Sequence, residues 1–375
     1  MCDYEVIVLG GGLAGLTAAL HLSKLGCSVL VIEKHRYPRH KVCGEYVSNE
    51  VKPYLEQLGI SFRDLNAVNI DTLQLSDQNG EAIKVHLPLG GFGLSRHTFD
   101  KALYDQCVHA GVDFLFDAVE DVQYGSEYFT TTTKNQHKLT SKITLGAFGK
   151  RSNLDTKLNR SFIKQNSPWL GVKCHYVFDE HETHLVGLHA FPGGYGGLSR
   201  TEDGSVNFCY LAAYKSFQKE KGVDAFTRRV VGSNPILDHF LSKARPKFEK
   251  PLAIAQISFQ KKKPVENHVL MLGDSAGMIH PLCGNGMAMA IHSAKIAAET
   301  IEKHSAQQNF SVTNVEKEYA SLWKKNFQKR LWMGRQLQTV LLSKSLSKFA
   351  IGTLAQSERM LQYLILRTHG EPILN

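Results

Sequence analysis

The stretch that decides the fold is Glu5-Val-Ile-Val-Leu-Gly-Gly-Gly-Leu-Ala-Gly15, near the start of the chain. A short β-branched strand leads into Gly10-x-Gly12-x-x-Gly15, and residues 16–25 continue with helical spacing. Gly10 permits a tight turn, Gly12 lets the backbone approach a pyrophosphate, and Gly15 allows close packing of helix on strand. The pattern therefore predicts a dinucleotide whose phosphates lie at the positive end of the helix.

A second predicted strand, residues 27–32, ends at Glu33, where a carboxylate is placed to accept hydrogen bonds from ribose hydroxyls. A glycine pattern alone is a weak signal. Here the strand, the three glycines, the helix, the second strand and the acidic residue occur in the expected order. We therefore predict an α/β fold of the Rossmann type.

The composition is that of an ordinary folded protein, with 43% hydrophobic and 21% charged residues. A chain of 375 residues is long for one hydrophobic core, so we expect more than one domain. The 44 Lys and Arg residues exceed the 35 Asp and Glu residues, which gives a net charge of +9. This charge fits either a solvated basic face or an anionic partner. We predict no nucleic-acid partner, because no aromatic-interleaved basic motif accompanies the charge.

The seven cysteines have no C-x-x-C spacing and lie among apolar residues, as is typical of reduced thiols in a cytosol-like compartment. The first strand begins too early to leave room for a signal peptide, and no run of about 18 apolar residues occurs. We expect a cytoplasmic protein and leave open a peripheral contact with the inner face of the membrane. We predict no metal site, because the sequence shows no metal-ligand spacing.

A second glycine-rich stretch is Leu272-Gly-Asp274-Ser-Ala-Gly-Met-Ile-His-Pro281-Leu-Cys-Gly284-Asn-Gly286, between a buried strand and a small-residue helix. Together with the first pattern it resembles the p-hydroxybenzoate hydroxylase superfamily, in particular its geranylgeranyl reductase branch. The resemblance implies FAD, with Asp274 near the ribityl or pyrophosphate region. It implies Pro281 and the amides of residues 284–286 at the N1/C2 carbonyl edge of the flavin. A helix dipole there stabilises the negative charge of reduced flavin by about 1 kcal/mol.

Further matches extend the resemblance over most of residues 1–305. Arg96 precedes a predicted helix and matches the family arginine near the flavin pyrophosphate, although a surface arginine at a helix entry has the same appearance. Lys41-Val-Cys43-Gly44-Glu45 resembles the Cys-Gly loop beside the isoalloxazine ring. Cys43, Gly44 and Pro281 are therefore the candidate catalytic residues. The alternative for Cys43 is a small buried hydrophobic side chain.

The stretch Phe191-Pro192-Gly-Gly-Tyr195-Gly-Gly197 matches the place of a Phe-Pro element above the substrate cavity in the reductase branch. The resemblance makes Phe191, Pro192 and Tyr195 candidate substrate residues, and the alternative is an ordinary glycine-rich hairpin. The residues expected to bind FAD are Gly10, Gly12, Leu13, Ala14, Gly15, Glu33, Lys34, Lys41, Arg96, Val119, Gly273, Asp274, Gly284, Asn285, Gly286 and Met287.

The chain is predicted to have three parts. The FAD-binding domain comprises residues 1–69, 88–160 and 261–310. An inserted mixed β-sheet substrate domain comprises residues 70–87 and 161–260, and residues 311–375 form a C-terminal helical segment. The cationic, apolar residues 324–349 are expected either to lie on an anionic bilayer or to pack as a helical cap.

One departure from the family pattern concerns the electron donor. The hydroxylase branch has Asp-Gly in the segment matching Gly146-Ala-Phe148-Gly-Lys-Arg-Ser152, where Phe148 replaces the aspartate, and the sequence contains no second G-x-G-x-x-G. We therefore expect no tightly bound NAD(P)H. A transiently docked NAD(P)H and an electron-donor protein are both left open as the source of electrons, and Phe148 is left open as a simple packing residue.

The resemblance implies an FAD-dependent oxidoreductase that reduces carbon–carbon double bonds of a hydrophobic, isoprenoid- or polyene-like substrate. The runner-up is an FAD-dependent monooxygenase that hydroxylates an aromatic or polyketide-like substrate, since both activities occur on this fold. A flavin-binding protein without catalysis is the third class. The Trp-x-Trp-x-Ile-Pro signature of flavin halogenases is missing.

Overall fold

The computed structural model describes residues 2–165, 167–279, 284–343 and 370–373. In chain order the strands are β1 (Tyr4–Leu9), β2 (Val29–Ile32), β3 (Tyr46–Ser48), β4 (Val68–Ser76), β5 (Ala82–Gly93), β6 (Asp113–Leu115), β7 (Val119–Gly125), β8 (Tyr128–Thr133), β9 (Lys138–Gly146), β10 (Trp169–Val177), β11 (Leu185–Phe191), β12 (Gly194–Arg200), β13 (Val206–Ala213), β14 (Arg245–Pro246), β15 (Leu252–Ile257), β16 (Val265–Glu266) and β17 (Val269–Met271). The helices are α1 (Leu13–Lys24), α2 (Lys52–Gln57), α3 (Arg96–His109), α4 (Asn153–Lys157), α5 (Tyr214–Phe217), α6 (Val223–Arg229), α7 (Pro235–Lys243), α8 (Gly286–Ser305) and α9 (Val312–Leu342).

The first sheet has the strand order β16-β17-β9-β1-β2-β6, with β7 and β8 as an antiparallel extension on β9. The pairs β1–β2, β1–β9, β2–β6 and β17–β9 are parallel. Parallel strands need helical crossovers that cover both faces, so such strands are continuously apolar. Residues 6–9 of β1 are at most 1% exposed, as that rule requires.

The second sheet has the order β14-β10-β13-β12-β11-β4-β5-β3, and β15 also pairs with β10. Its pairs are antiparallel except β4–β11, which is parallel. One face packs on α6 and α7 through an aromatic core that includes Phe208, Phe226 and Phe240. Side chains alternate along each strand, so the other face points toward the loops of the first sheet.

The predicted mixed α/β fold is confirmed, but the second sheet is wider than its predicted residues. The strand β3 and the end of β5 belong to it, although both lie in ranges assigned to the first domain. Gly91 explains why, because a Cβ there would lie 2.5 Å from both the Tyr46 ring and the Val47 carbonyl oxygen. The glycine lets β3 join the edge of the sheet beside β5. The domain boundaries themselves remain a prediction.

The helix α9 packs on the first domain along one stripe. Val315, Tyr319, Trp323 and Phe327 recur every four residues, and each is at most 5% exposed. The Tyr319 hydroxyl donates to the Met271 carbonyl oxygen at 2.5 Å, which ties the helix to β17. Within the described ranges, no helix has the length and apolar character needed to cross a membrane.

Candidate functional site

The three fingerprint glycines are required for three different reasons. Gly10 has φ of +107°, and a Cβ there would lie 2.6 Å from the Ala147 carbonyl oxygen. A Cβ on Gly15 would overlap the Gly10 carbonyl oxygen. At Gly12, by contrast, the nearest atoms to an added Cβ are Arg96 Nη2 and Lys41 Nζ, both at 3.8 Å. Gly12 therefore borders open space that two cationic groups face.

These two cations are held in place by one buried carboxylate. Asp100 is 0% exposed and bonds Arg96 Nε at 2.7 Å, Arg96 Nη2 at 2.9 Å and Lys41 Nζ at 2.7 Å. Burial alone would raise the pKa of Asp100, but Arg96 and Lys41 hold it below its ordinary value. The cluster consequently keeps one net positive charge beside Gly12.

The N-terminus of α1 completes an anion site. Gly12 is the N-cap of α1. Among the described residues, no side chain caps this end of the helix, and the first turn contains no acidic residue. Leu13 and Ala14 follow Gly12 and are almost fully buried. Uncapped amides, the helix dipole and a guanidinium are the groups that bind phosphates. The cradle at Gly12 therefore fits the pyrophosphate of FAD.

Glu33 lies beside this cradle at the end of β2. Its carboxylate accepts from the Gly11 amide at 2.9 Å, the His35 amide at 3.1 Å and Arg39 Nη2 at 2.9 Å. The Tyr37 hydroxyl donates to the Gly11 carbonyl oxygen at 2.6 Å. Sequence reasoning missed Arg39 and Tyr37, because neither has a fixed spacing from the glycines.

Two other predicted FAD residues lie at the edges of this region. Lys34 directly follows Glu33 and is exposed. Val119 is half-buried at the start of β7, where it pairs with Thr133. Neither has a polar side-chain contact that would fix its role, so both assignments stay predictions.

The predicted Asp274 lies in a single helical turn, Gly273–Ser275, called here the Asp274 turn. Gly273 has φ of +55°. Lys262 Nζ donates to the Asp274 carbonyl oxygen at 2.7 Å and to the Lys150 carbonyl oxygen at 3.0 Å. Burial lowers the pKa of Lys262 to about 8, and its ammonium lies 4.3 Å from the centre of the Phe162 ring.

Arg160 holds the same turn from its other side. Its guanidinium is 1% exposed, donates to the Ser275 carbonyl oxygen at 2.8 Å and pairs with Asp155 at 2.8 Å. The Gly149 amide donates to Ser275 Oγ at 2.8 Å. Sequence reasoning missed these contacts, because most of them involve backbone groups, which every residue has.

The residues 284–287 form the start of α8. Gly284 has φ of +60°, and Asn285 is the N-cap of a helix whose first turn has no acidic residue. Met287 Sδ lies 3.4 Å from Cys43 Sγ. The structure therefore brings the predicted Gly284–Gly286 segment next to the Cys-Gly loop. Pro281, a predicted catalytic residue, lies outside the described residues.

The Cys43 loop, defined as residues 41–45, is anchored on the second sheet. Ser199 Oγ and Asn207 Nδ2 donate to the Gly44 carbonyl oxygen at 2.9 and 2.8 Å. Asn207 Nδ2 also donates to the Cys43 carbonyl oxygen at 3.2 Å. At the start of the loop, Lys41 Nζ pairs with Asp100 at 2.7 Å. The loop thus joins the cofactor cradle to the face of the second sheet.

Glu45 at the end of this loop is fully buried and has φ of +56°, an unusual backbone conformation for a glutamate. Its carboxylate pairs with Lys173 Nζ, lies 2.7 Å from His175 Nε2 and accepts from the Arg96 amide at 2.7 Å. These three contacts explain why the chain tolerates the conformation. Sequence reasoning missed the cluster, because its members come from separate segments.

His40, Glu45 and His175 also place potential metal-ligand atoms within 4.8 Å of one another. The Lys173 ammonium is already bonded to the same carboxylate and is 0% exposed. A metal cation would have to displace that ammonium from the buried glutamate. We therefore interpret the cluster as a hydrogen-bonded ion-pair network.

The predicted substrate residues lie on different sides of the second sheet. Tyr195 lies on the face that the Cys43 loop covers, in one apolar cluster with Leu211, Ile257 and Met278. Phe191 is 0% exposed and packs in the aromatic core on the opposite face, with ring centres 6.0 Å from Tyr210 and 6.2 Å from Phe226. Pro192 is exposed at the hairpin tip. The structure thus brings only Tyr195 of the three toward the Cys43 loop.

Known proteins resemble this chain over most of its length. Digeranylgeranylglycerophospholipid reductase 2 of Methanopyrus kandleri is 26% identical over 351 residues, which cover 87% of this chain and 84% of that protein. The menaquinone reductase of Mycobacterium tuberculosis is 24% identical over 321 residues, which cover 80% of this chain and 76% of that protein.

Solved structures share the fold at lower identity. A geranylgeranyl bacteriochlorophyll reductase-like protein of Thermoplasma acidophilum has a TM-score of 0.77 at 18% identity and covers 98% of this chain and 96% of its own. The flavin-dependent brominase Bmp2 has a TM-score of 0.79 at 18% identity and covers 97% of this chain and 93% of its own.

The family model described as FAD binding domain matches residues 3–307. This span contains the Gly12 cradle, the Cys43 loop, the Asp274 turn and the start of α8. The predicted resemblance to the geranylgeranyl reductase-like branch is confirmed, as is the prediction of FAD. The chain belongs to the FAD binding domain family and is an FAD-dependent oxidoreductase.

Proposed function

We propose that this oxidoreductase reduces carbon–carbon double bonds of an isoprenoid- or polyene-like substrate. One observation carries the proposal: the apolar cluster of Tyr195, Leu211, Ile257 and Met278 joins the second sheet to the segment after the Asp274 turn. Met278 follows the Asp274 turn, whereas the other three residues belong to the second sheet. An apolar cluster next to the Asp274 turn suits a hydrocarbon chain, which is held by burial of its surface. The names of the archaeal relatives support the same substrate class.

The chain's own residues have defined tasks in this reaction. Bound FAD supplies the hydride that a double bond accepts. Ser199 and Asn207 fix the Cys43 loop, and we propose Cys43 and Gly44 as the residues nearest the reacting carbon. Tyr195 provides part of the wall against which the substrate is oriented.

We further propose that electrons reach the flavin from a transiently docked NAD(P)H or from an electron-donor protein. The ring of Phe148, which replaces the family aspartate, lies 3.0 Å from a Cβ placed on Gly146 at the end of β9. It is among the half-buried side chains that pack on the core of the first domain. The Phe148 side chain offers no hydrogen bond to a nicotinamide, and this supports the expectation that NAD(P)H is not tightly bound.

The proposed function is tested by product mass under anaerobic conditions. Protein reduced with dithionite is mixed with geranylgeraniol, and each saturated double bond is expected to add two mass units to the product. Tyr195→Ala is expected to raise the KM about tenfold, because roughly 1–2 kcal/mol of apolar contact is lost.

The matched control is Tyr128→Ala, which removes an exposed tyrosine of β8. It is expected to keep the wild-type KM. A product that forms only in air and contains one oxygen atom from O₂ would contradict the reductase proposal and establish the monooxygenase alternative.

We also propose that the outer face of α9 contacts an anionic membrane surface. Its inner stripe packs on the protein, but Lys324, Lys325 and Lys329 are exposed and Trp332 is 55% exposed. Basic side chains beside an exposed aromatic ring are typical of helices that lie at a bilayer surface. Such a contact would let a lipophilic substrate enter without crossing water.

Replacing both Lys324 and Lys329 with glutamine is expected to weaken binding to phosphatidylserine vesicles about 30-fold, because each basic residue contributes about 1 kcal/mol. Co-sedimentation measures this change. The control replaces the exposed Lys134 and Lys138, which lie on the far extension of the first sheet, and should leave binding unchanged. Equal binding to neutral vesicles would show that charge plays no part.

A further inference from the structure

A buried chain of polar side chains leads from the protein surface to the Cys43 loop. At its outer end, Asp203 is exposed and pairs with Lys247 at 2.6 Å. Ser205 Oγ donates to Asp203 Oδ1 and lies 3.4 Å from His175 Nδ1. His175 Nε2 lies 2.7 Å from Glu45 Oε2, and Glu45 Oε1 pairs with Lys173 Nζ. Every link joins atoms that can give or accept a proton.

The inner end of this chain lies on the sheet face that the Cys43 loop covers. Lys173 pairs across the strands β10 and β13 with Cys209, and His175 pairs with Asn207. Paired side chains share a face of the sheet. Asn207 holds the Cys43 and Gly44 carbonyl oxygens, so this is the face that the Cys43 loop covers. The Lys173 ammonium is therefore buried beneath that loop.

We propose that Asp203, Ser205, His175, Glu45 and Lys173 form a proton relay that delivers the proton required when a carbon–carbon double bond is reduced. The inference rests on the proposed function. A double bond gains one hydride and one proton, and the relay accounts for the proton. As the new C–H bond forms, an N–H bond of Lys173 breaks, either directly or through one water molecule. The amine regains a proton from His175 through the Glu45 carboxylate, and His175 regains one from solvent through Ser205.

The charges around the relay favour proton transfer through His175 over transfer through the neighbouring His40. His40 lies beside His175, with ring centres 5.0 Å apart, and stacks on His97 at 4.7 Å. Burial, with Lys173, His175 and His97 nearby, lowers the pKa of His40 to about 4. His40 is therefore neutral at pH 7 and does not compete for the proton. The other charged groups near His175 are Lys173, Glu45 and the Asp203–Lys247 pair.

Burial alone would raise the pKa of Glu45, but His175 and Lys173 hold it below its ordinary value. A glutamate that is ionised at rest accepts the proton of His175 and passes it to a deprotonated Lys173. The unusual φ of +56° keeps the carboxylate between these two groups. Glu45 and His175 are thus positioning and relay residues, because neither is placed against the cofactor.

The test compares Glu45→Gln with the wild type in the full-length holoprotein. Glutamine keeps the shape and accepts from the Arg96 amide but cannot carry a proton. We expect kcat for geranylgeraniol reduction to fall at least tenfold, with KM and FAD content unchanged. The wild-type kcat should fall as pH rises, because fewer protons then enter the relay from solvent, and the variant should lose this pH dependence.

A second readout does not depend on turnover. The chain has 17 histidines, and the carbon-13 signal of the His175 ring is assigned by its loss in His175→Gln. We expect Glu45→Gln to shift this signal at a fixed pH, because the carboxylate that bonds His175 Nε2 at 2.7 Å is gone. The control His189→Gln removes a buried histidine bonded to Ser76, outside the relay, and should keep the wild-type pH profile.

The outcomes separate the relay from the proposed function. A wild-type protein that saturates no double bond contradicts the proposed function, and the carbon-13 signal of His175 then still tests the relay. Wild-type kcat and pH profile in Glu45→Gln, or an unchanged His175 signal in that variant, would overturn the relay. If kcat of Glu45→Gln falls only in proportion to its lost FAD, the role of Glu45 is structural. If Glu45→Gln does not fold, Lys173→Met replaces it under the same criteria.

Discussion

Gly12→Val is expected to weaken FAD binding about 1,000-fold, or about 4 kcal/mol. An added Cβ at Gly12 projects into the space faced by Arg96 Nη2 and Lys41 Nζ, where the pyrophosphate is expected to lie. The backbone of Gly12 is extended, with φ of −88° and ψ of −173°, so valine is tolerated by the fold itself. The effect should therefore appear in cofactor affinity and not in the stability of the protein without FAD.

The measurement is titration of the apoprotein with FAD, followed by quenching of flavin fluorescence. Gly125→Val is the control, because a Cβ at Gly125 meets nothing within 4 Å and the residue ends a strand far from the cradle. Its FAD affinity should equal that of the wild type. Wild-type affinity in Gly12→Val would mean that the pyrophosphate does not approach this glycine.

Arg160→Met is expected to lower the free energy of unfolding by about 3–5 kcal/mol. The change removes one partner of a fully buried ion pair and leaves the Asp155 carboxylate, which is 0% exposed, without its cation. It also frees the Ser275 carbonyl oxygen, so the Asp274 turn loses a contact at 2.8 Å. Denaturant unfolding measures the loss.

Two variants control this prediction. Arg63→Met removes an exposed arginine and should change stability by less than about 0.5 kcal/mol. Combining Arg160→Met with Asp155→Asn should restore part of the loss, because no unpaired charge then remains buried. If the double variant is no more stable than Arg160→Met alone, the cost does not come from the orphaned carboxylate.

Local patterns predicted the first domain well. The strand β1, the glycine turn, α1 and β2 are consecutive in sequence, and each has a clear periodicity, so neighbouring residues were sufficient. The position of Arg96 near the cradle followed from the resemblance alone. Its partner Asp100 lies one helical turn further along α3, but the sequence did not reveal that this carboxylate also orients Lys41.

The site between the two sheets could be predicted only in part. The Glu45 cluster joins the Cys43 loop to β10 and to the β12–β13 turn, contacts that exist only after the second sheet has formed. Phe191 and Tyr195 both occur in the Phe-Pro stretch, yet they lie on opposite faces, because the hairpin turn at residues 192–193 separates them. Which face a strand residue occupies depends on register, and register is set by tertiary pairing.

The central claim is that the reduced flavoprotein passes its electrons to a hydrocarbon double bond. The most direct measurement is anaerobic stopped-flow mixing of the dithionite-reduced protein with geranylgeraniol, followed at the absorbance of oxidised flavin near 450 nm. The account predicts that flavin is reoxidised at a rate that saturates with substrate concentration. No reoxidation by the polyprenyl substrate, with rapid reoxidation when oxygen and an aromatic substrate are supplied, would contradict it.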